Sequence, residues 1–212
     1  RLYRALTGLG GPLIALYLAQ RRRRGKEDPL RFGERLGRPG LPRPDGPLVW
    51  VHAASVGEAL SVLPLVERLT ARGLGVLMTT GTRSSAALMA ERLPAGARHQ
   101  YVPVDRVAWV RRFLDHWRPD LGLVVESELW PNLLAEARAR GVTLALIQGR
   151  MSERSATGWG RAPGLIAEML GGFALILAQT EDDARRLRVL GGRDVRALGN
   201  LKHAAPPLPA DP

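Results

Sequence analysis

From Leu48 to Leu198, short uninterrupted apolar runs alternate with stretches in which apolar positions recur every three or four residues. The short runs predict strands at Leu48–His52, Gly75–Thr79, Leu121–Val125, Thr143–Ile147 and Phe173–Ala178, and the more polar stretches Arg98–Val102 and Val195–Leu198 are read as strands with them. The intervening pattern predicts helices over Glu58–Arg72, Ser84–Leu93, Val107–Trp117, Asn132–Arg140, Leu165–Leu170 and Glu181–Leu190. Strands that are apolar throughout are buried on both faces, and their alternation with helices implies a parallel sheet covered on both sides. The predicted fold class is therefore α/β, a Rossmann-like parallel sheet with helices on both faces. No internal repeat interrupts it.

The apolar runs break at their carboxyl ends into glycine and polar residues: Ala53-Ala-Ser-Val-Gly-Glu58, Thr79-Thr-Gly-Thr82, Glu126-Ser-Glu128, Gln148-Gly-Arg150, Gln179-Thr180 and Gly199-Asn-Leu-Lys202. Ligands of open parallel sheets bind outside those ends. So many polar ends on one edge predict a wide polar cleft there.

Ahead of the first strand, Ala5–Gln20 is free of charge and Arg21–Arg24 and Lys26 follow at once. Sixteen residues fall short of the about 20 that span a bilayer, and Gly8, Gly10, Gly11 and Pro12 weaken the helix. The basic block follows the apolar run, opposite to the order in a signal peptide. Arginines beside an apolar stretch suit anionic headgroups on the cytoplasmic side; the plainer alternative is a helix packed on the domain with a solvated basic tail. Residues 1–44 are thus expected to be a membrane-associated segment and connector, with Arg31-Phe-Gly-Glu-Arg35 as a short helix wrapping the domain edge, followed by the folded domain at 45–204 and the start of a linker at 205–212.

Charge sharpens this division. Of the net +11, residues 1–44 carry 11 Lys and Arg against 3 Asp and Glu, and the remaining residues 20 against 17. A nucleic-acid binder spreads its basic residues over the folded domain, so that class is disfavoured. Absence of cysteine excludes disulfides and thiolate chemistry. The histidines at 52, 99, 116 and 203 lack ligand spacing, and there is no DxD pair, Walker A loop or GxGxxG. No metal or cofactor is expected.

Several motifs admit two readings. Ser55 and Glu58 match the S-x-x-E capping box, yet Glu58 at a strand edge is equally suited to be a general base, with Gly57 beside it allowing a ligand or a tight turn. Glu126, directly after a buried strand, is more easily a cleft residue than a solvated one, whereas Glu128 could simply complement the next helix, opened by Pro131. The stretch Gln148–Ser155 reads either as a surface loop or as a site where Arg150 and Arg154 grip phosphate or carboxylate. Thr180 and the acids after it read as a helix cap. Lys202 is either solvated or at the cleft margin.

Together, Trp50-Val-His-Ala-Ala-Ser-Val-Gly-Glu58, Glu126-Ser-Glu-Leu-Trp-Pro-Asn132, Gly149-Arg-Met-Ser-Glu-Arg-Ser155, Gln179-Thr-Glu-Asp-Asp183 and Gly199-Asn-Leu-Lys202 closely resemble the N-terminal half of the 3-deoxy-D-manno-octulosonic acid (Kdo) transferases. The resemblance runs over nearly the whole chain. It implies half of a GT-B fold and inverting transfer of Kdo from CMP-Kdo to a lipid A precursor at the cytoplasmic face of the bacterial inner membrane. It makes Glu58 the base, with Glu126 and Lys202 stabilising the transition state. Ser55, Gly57, Glu128, Gly149, Arg150, Ser152, Glu153 and Arg154 would line the acceptor side. CMP-Kdo would bind mainly to a second domain absent from this chain, which is expected to fold without transferring sugar. The competing expectations are a GT-B transferase with another donor, and a non-catalytic membrane module that binds a phospho-ligand.

Overall fold

A computed structural model describes residues 2–200. The strands are β1 (Leu48–His52), β2 (Gly75–Thr80), β3 (Ala97–Tyr101), β4 (Leu121–Val125), β5 (Thr143–Gly149), β6 (Leu175–Ala178) and β7 (Val195–Ala197). They pair in parallel in the order β3-β2-β1-β4-β5-β6-β7. The order reverses between β1 and β4, creating the switch point at which such sheets hold ligands.

Alternation along each strand splits the core in two. Val49, Val51, Val76, Met78, Leu123 and Val125 face α4 (Val56–Ala71) and α5 (Arg83–Arg92). On the opposite face Trp50, Leu77, Val124 and Leu146 meet α6 (Val107–Trp117), α7 (Pro131–Ala139), α9 (Pro163–Leu170) and α10 (Glu181–Val189), with Phe113 and Trp117 filling the centre. Each such side chain, when fully buried, contributes about 1.5–3 kcal/mol. The expected α/β architecture is observed, with two local corrections. The sixth strand starts at Leu175 because Phe173 is a core plug in the preceding turn. Within the polar stretch expected to be a loop, α8 (Glu153–Trp159) forms, capped by Ser152.

The apolar N-terminal run is also two helices. They are α1 (Leu2–Leu9) and α2 (Gly11–Arg23), broken at Gly10 with Pro12 in the first turn of the second. Thirteen residues make a rod of about 20 Å, against a hydrocarbon core of about 30 Å, and no helix among the described residues is long and apolar enough to cross a membrane. Contacts on one side dock these helices. The Tyr3 hydroxyl donates to Asp105 at 2.9 Å, Asn132 Nδ2 donates to Thr7 at 3.0 Å, and Leu18 is buried. Leu6, Leu9, Leu13, Leu16 and Tyr17 remain exposed.

The connector's Arg31–Arg35 group forms the short helix α3 (Phe32–Arg35) and clamps the sheet edge. Glu34 accepts from the Tyr101 amide at 2.7 Å, Arg31 donates to the His99 carbonyl at 2.8 Å, and Arg35 donates to the Val102 carbonyl. Side chains thereby satisfy the backbone groups that the edge strand β3 would otherwise expose.

Candidate functional site at the β1–β4 rim

Parallel pairing brings the polar ends of β1, β4 and β5 to one edge. After β1 the chain turns through Ala53 and Ala54 into α4, with Ser55 as N-cap. The Glu58 amide donates to Ser55 Oγ at 3.3 Å, and the Glu58 carboxylate accepts from Ser55 Oγ at 2.7 Å and from the Ala54 amide at 3.0 Å. The capping reading of this motif is therefore realised. Glu58 nevertheless stays partly accessible at the rim, so capping fixes the carboxylate without sealing it. Gly57 makes no tight turn: it sits in the first turn of α4, and a Cβ there would meet nothing within 4 Å. Open space lies over the helix start at that point.

β4 ends in a backbone that few side chains adopt. Glu126 has φ +57° while its amide still donates to the Ile147 carbonyl at 3.0 Å. On the adjacent strand Gln148 has φ +53°, where the register between β5 and β6 shifts by one residue. Left-handed non-glycine residues cost of order 1 kcal/mol or more and cluster at functional sites, and a bulge re-aims the side chains beside it. The two lie side by side at the ends of β4 and β5, Glu126 beside the rim and Gln148 buried beneath it. Nothing in the sequence marks Gln148 for this, since the bulge arises from pairing with β6.

Glu128 follows on the same loop. Its carboxylate accepts from the Trp130 indole at 2.6 Å and lies 3.8 Å from His52 Nε2. Burial raises the Glu128 pKa, the Trp130 hydrogen bond opposes the rise, and the nearby negative charges of Glu58 and Glu126 add to it. Three carboxylates thus share this corner. His52 beneath them is completely buried, and loss of hydration pulls its pKa down to about 4, so the ring is neutral at pH 7. Its Nδ1 is 3.0 Å from Thr79 Oγ1, which also accepts from Trp50 Nε1 at 2.9 Å. Nδ1 also lies 3.4 Å from the Thr79 carbonyl, so Thr79 holds this edge of the ring through both its oxygens. His52 and Trp130 form the floor of the corner; sequence reasoning tested this histidine only as a metal ligand and missed that role.

The β5 side is joined on by Ser127, whose hydroxyl donates to the Arg150 carbonyl. Arg150, Glu153 and Arg154 are exposed, and Ser152 caps α8 by accepting from the Ser155 amide at 3.1 Å. Gly149 is buried, and a Cβ would press on Leu187 and Leu146 at 3.2 and 3.3 Å, so packing against α10 explains that glycine. Thr180 caps α10, and Asp183 there accepts from the Met151 amide at 2.8 Å, as the capping reading of these acids expects. No group of three potential ligands that could hold a metal occurs among the described residues. Lys202 lies outside the described residues.

Comparison with known proteins follows the same outline. Residues 30–205 match the family model described as 3-deoxy-D-manno-octulosonic-acid transferase (kdotransferase). The chain is 41% identical over 206 residues to a 3-deoxy-D-manno-octulosonic acid transferase of Bordetella pertussis, covering 93% of this chain and 48% of the relative. It is 40% identical over 210 residues to a probable mitochondrial 3-deoxy-D-manno-octulosonic acid transferase of Arabidopsis thaliana (96% and 47%) and 37% identical over 214 residues to the Rickettsia bellii transferase (100% and 51%). The chain therefore spans about half the length of these curated relatives. Among solved structures, the UDP-GlcNAc 2-epimerase of Neisseria meningitidis bound to UDP-GlcNAc superposes with a TM-score of 0.54 at 15% identity, over 74% of this chain and 47% of the other. A co-structure of S. aureus MnaA with UDP gives 0.53 at 15%, over 74% and 46%. At that identity the likeness concerns the fold: a Rossmann-like half of a GT-B architecture.

Proposed function

Because the chain belongs to the 3-deoxy-D-manno-octulosonic-acid transferase family, we propose that it is the acceptor-binding half of a glycosyltransferase that moves Kdo from CMP-Kdo to a lipid A precursor during lipopolysaccharide assembly. The observation that carries this reading is the meeting of Glu58, Glu126 and Glu128 at the switch point, where no lysine or arginine among the described residues forms an ion pair with Glu58 or Glu128.

In the proposed step Glu58 takes the proton of an acceptor hydroxyl, whose oxygen attacks the anomeric carbon of Kdo. The bond from that carbon to the CMP phosphate breaks, the phosphate leaves with the electron pair, and the configuration inverts. Glu58 is held by Ser55 and the Ala54 amide, so its oxygens are positioned before substrate arrives, and a positioned base contributes about 10²–10⁴-fold. Glu126 and Lys202 would balance charge at the reacting centre, and the leaving phosphate would be held by the donor half of the enzyme. Gly57 leaves room for the acceptor, while Arg150 and Arg154 offer it exposed guanidinium groups. No metal is invoked.

The N-terminal helices support a place for the reaction. Leu9, Leu13 and Leu16 form an outward apolar stripe that leads into Arg21–Arg24. Such a pairing suits a helix lying in the plane of an anionic membrane, here the cytoplasmic face of the inner membrane. The test is a transfer assay on the full-length protein with a lipid A precursor and a panel of CMP-Kdo, UDP-sugars and GDP-mannose. Turnover with CMP-Kdo alone, abolished by Glu58→Gln with acceptor binding retained, is the expected result. Turnover with another donor, or acceptor binding without any turnover, would overturn it.

A further inference from the structure

A second polar feature lies away from the carboxylate rim. Between α1 and α6 runs an open groove of about 680 Å³, lined by Arg4 and Gly8 on one side and by Arg106, Arg111 and Arg112 on the other, with the carboxylate of Asp115, paired with Arg140, also on its wall. Most of the charge behind it is already matched: Arg4, Arg111 and Arg140 converge on the buried Glu136, and Arg140 also pairs with Asp115 at 2.7 Å. Arg106 and Arg112 are different, since no carboxylate among the described residues pairs with either. Arg112 donates only to the Leu36 carbonyl, at 2.9 Å. The Arg106 guanidinium is wedged at the break between α1 and α2. It lies 5.2 Å over the Trp109 ring, and a Cβ on Gly11 would come within 2.8 Å of it. Its Nε is buried without a hydrogen-bond partner. A guanidinium stacked on an aromatic and left without an acceptor is preorganised for an anion, because its planar fork matches two oxygens of one phosphate.

The position of the groove selects the source of that phosphate. On α1, Arg4 and Gly8 lie one turn apart on the flank of the helix, between the docked side at Tyr3 and Thr7 and the outward side at Leu9. Helices resting on a bilayer by Leu9 of α1 and by Leu13 and Leu16 of α2 would hold this flank at headgroup depth, where the positive charge on Arg106 and Arg112 meets lipid phosphate. Resting on the membrane-facing reading of α1 and α2, we propose that the α1–α6 groove is a binding site for the phosphate headgroup of an anionic lipid, with Arg106 and Arg112 as its ligands.

The test footprints arginines on the 212-residue chain with phenylglyoxal, read by mass spectrometry. Vesicles of phosphatidylcholine with and without phosphatidylglycerol are compared with inorganic phosphate at matched phosphate concentration. Selective protection of Arg106 and Arg112 by the phosphatidylglycerol vesicles is expected. The charge change Arg23→Gln with Arg24→Gln should weaken vesicle binding by roughly thirty-fold, about five-fold for each charge removed near the surface, and Arg106→Gln with Arg112→Gln should weaken it by more than that. Vesicle binding that leaves Arg106 and Arg112 reactive, or that both double variants weaken alike, would overturn the groove and leave the membrane reading standing. Absence of vesicle binding altogether would overturn both. Equal protection by inorganic phosphate would overturn the lipid as its source.

Discussion

At the β3 edge, Glu27 and Glu34 are each matched to arginines, whereas at the β1–β4 rim Glu58 and Glu128 have no arginine or lysine partner among the described residues and lie near Glu126 over a neutral histidine. Glu34 illustrates the first arrangement: buried, held by Arg31 through Nε at 2.9 Å, and spent on the Tyr101 amide. Glu128 illustrates the second: its burial is balanced by one indole hydrogen bond and opposed by its acidic neighbours. The comparison separates charge used to close a structure from charge that the proposed function would use. A fold gains nothing from crowding like charges at the end of a buried strand, so their presence at the switch point argues for a substrate.

The contrast can be broken by moving each region's key carboxylate. In the full-length enzyme Glu58→Gln should lower kcat by about 10²–10⁴-fold, while the unfolding free energy of the chain changes by less than about 1 kcal/mol, because glutamine also serves in a capping box. Equal losses of stability and turnover would show that Glu58 is only a cap. At the other region, Glu34→Ala should destabilise the chain by about 1–3 kcal/mol in urea unfolding, since it leaves the buried Tyr101 amide without its acceptor and removes the partner of the part-buried Arg31. A cost below about 1 kcal/mol would remove the contrast.

Each region also holds a buried histidine, which permits a pH test. Burial brings the pKa of His52 down to about 4 and, with help from Arg31, that of His99 down to about 3, both from 6.5. The unfolded chain therefore binds protons that the folded one refuses. The stabilising effect is complete above pH 6.5 and is lost as pH falls toward those lower values. Between pH 7 and pH 5, each histidine should account for a loss of about 2 kcal/mol. Chemical denaturation across that range should show half the slope in a His99→Gln variant; an unchanged slope would place the sensitivity elsewhere. The smallest effect sharpens the comparison most. Glu128→Gln keeps an acceptor for Trp130 but removes one of three like charges, so it should stabilise the chain by about 1 kcal/mol at pH 7. Destabilisation would mean that the rim is not electrostatically frustrated.

Much of this was legible in the chain. Short runs marked the seven strands, and the polar break after six of them marked the edge that holds Glu58 and Glu126, because parallel pairing puts every carboxyl end on one side. The S-x-x-E spacing announced the Ser55 cap, and Thr180 the cap of α10. Other features had no local signature. The α8 helix grows from a stretch whose residues are polar and largely exposed, so no apolar periodicity reveals it. The glycines and Pro12 of the uncharged run announced the weakness at which it breaks at Gly10, but the contacts of Tyr3, Thr7 and Leu18 that dock it have no such mark.

Hydrophobic periodicity and turn chemistry act over a few neighbouring residues, so the order of amino acids alone determined the strands, most helices, their caps and the polar sheet edge. The left-handed backbone at Glu126 and Gln148, the seat of His52 beneath Glu128, and the grip of Arg31 and Glu34 on β3 depend on partners far away along the chain, up to 76 positions for His52 and Glu128. Those were decided by tertiary structure, because a bulge, a desolvated ring or a shared charge exists only when distant segments are packed against each other.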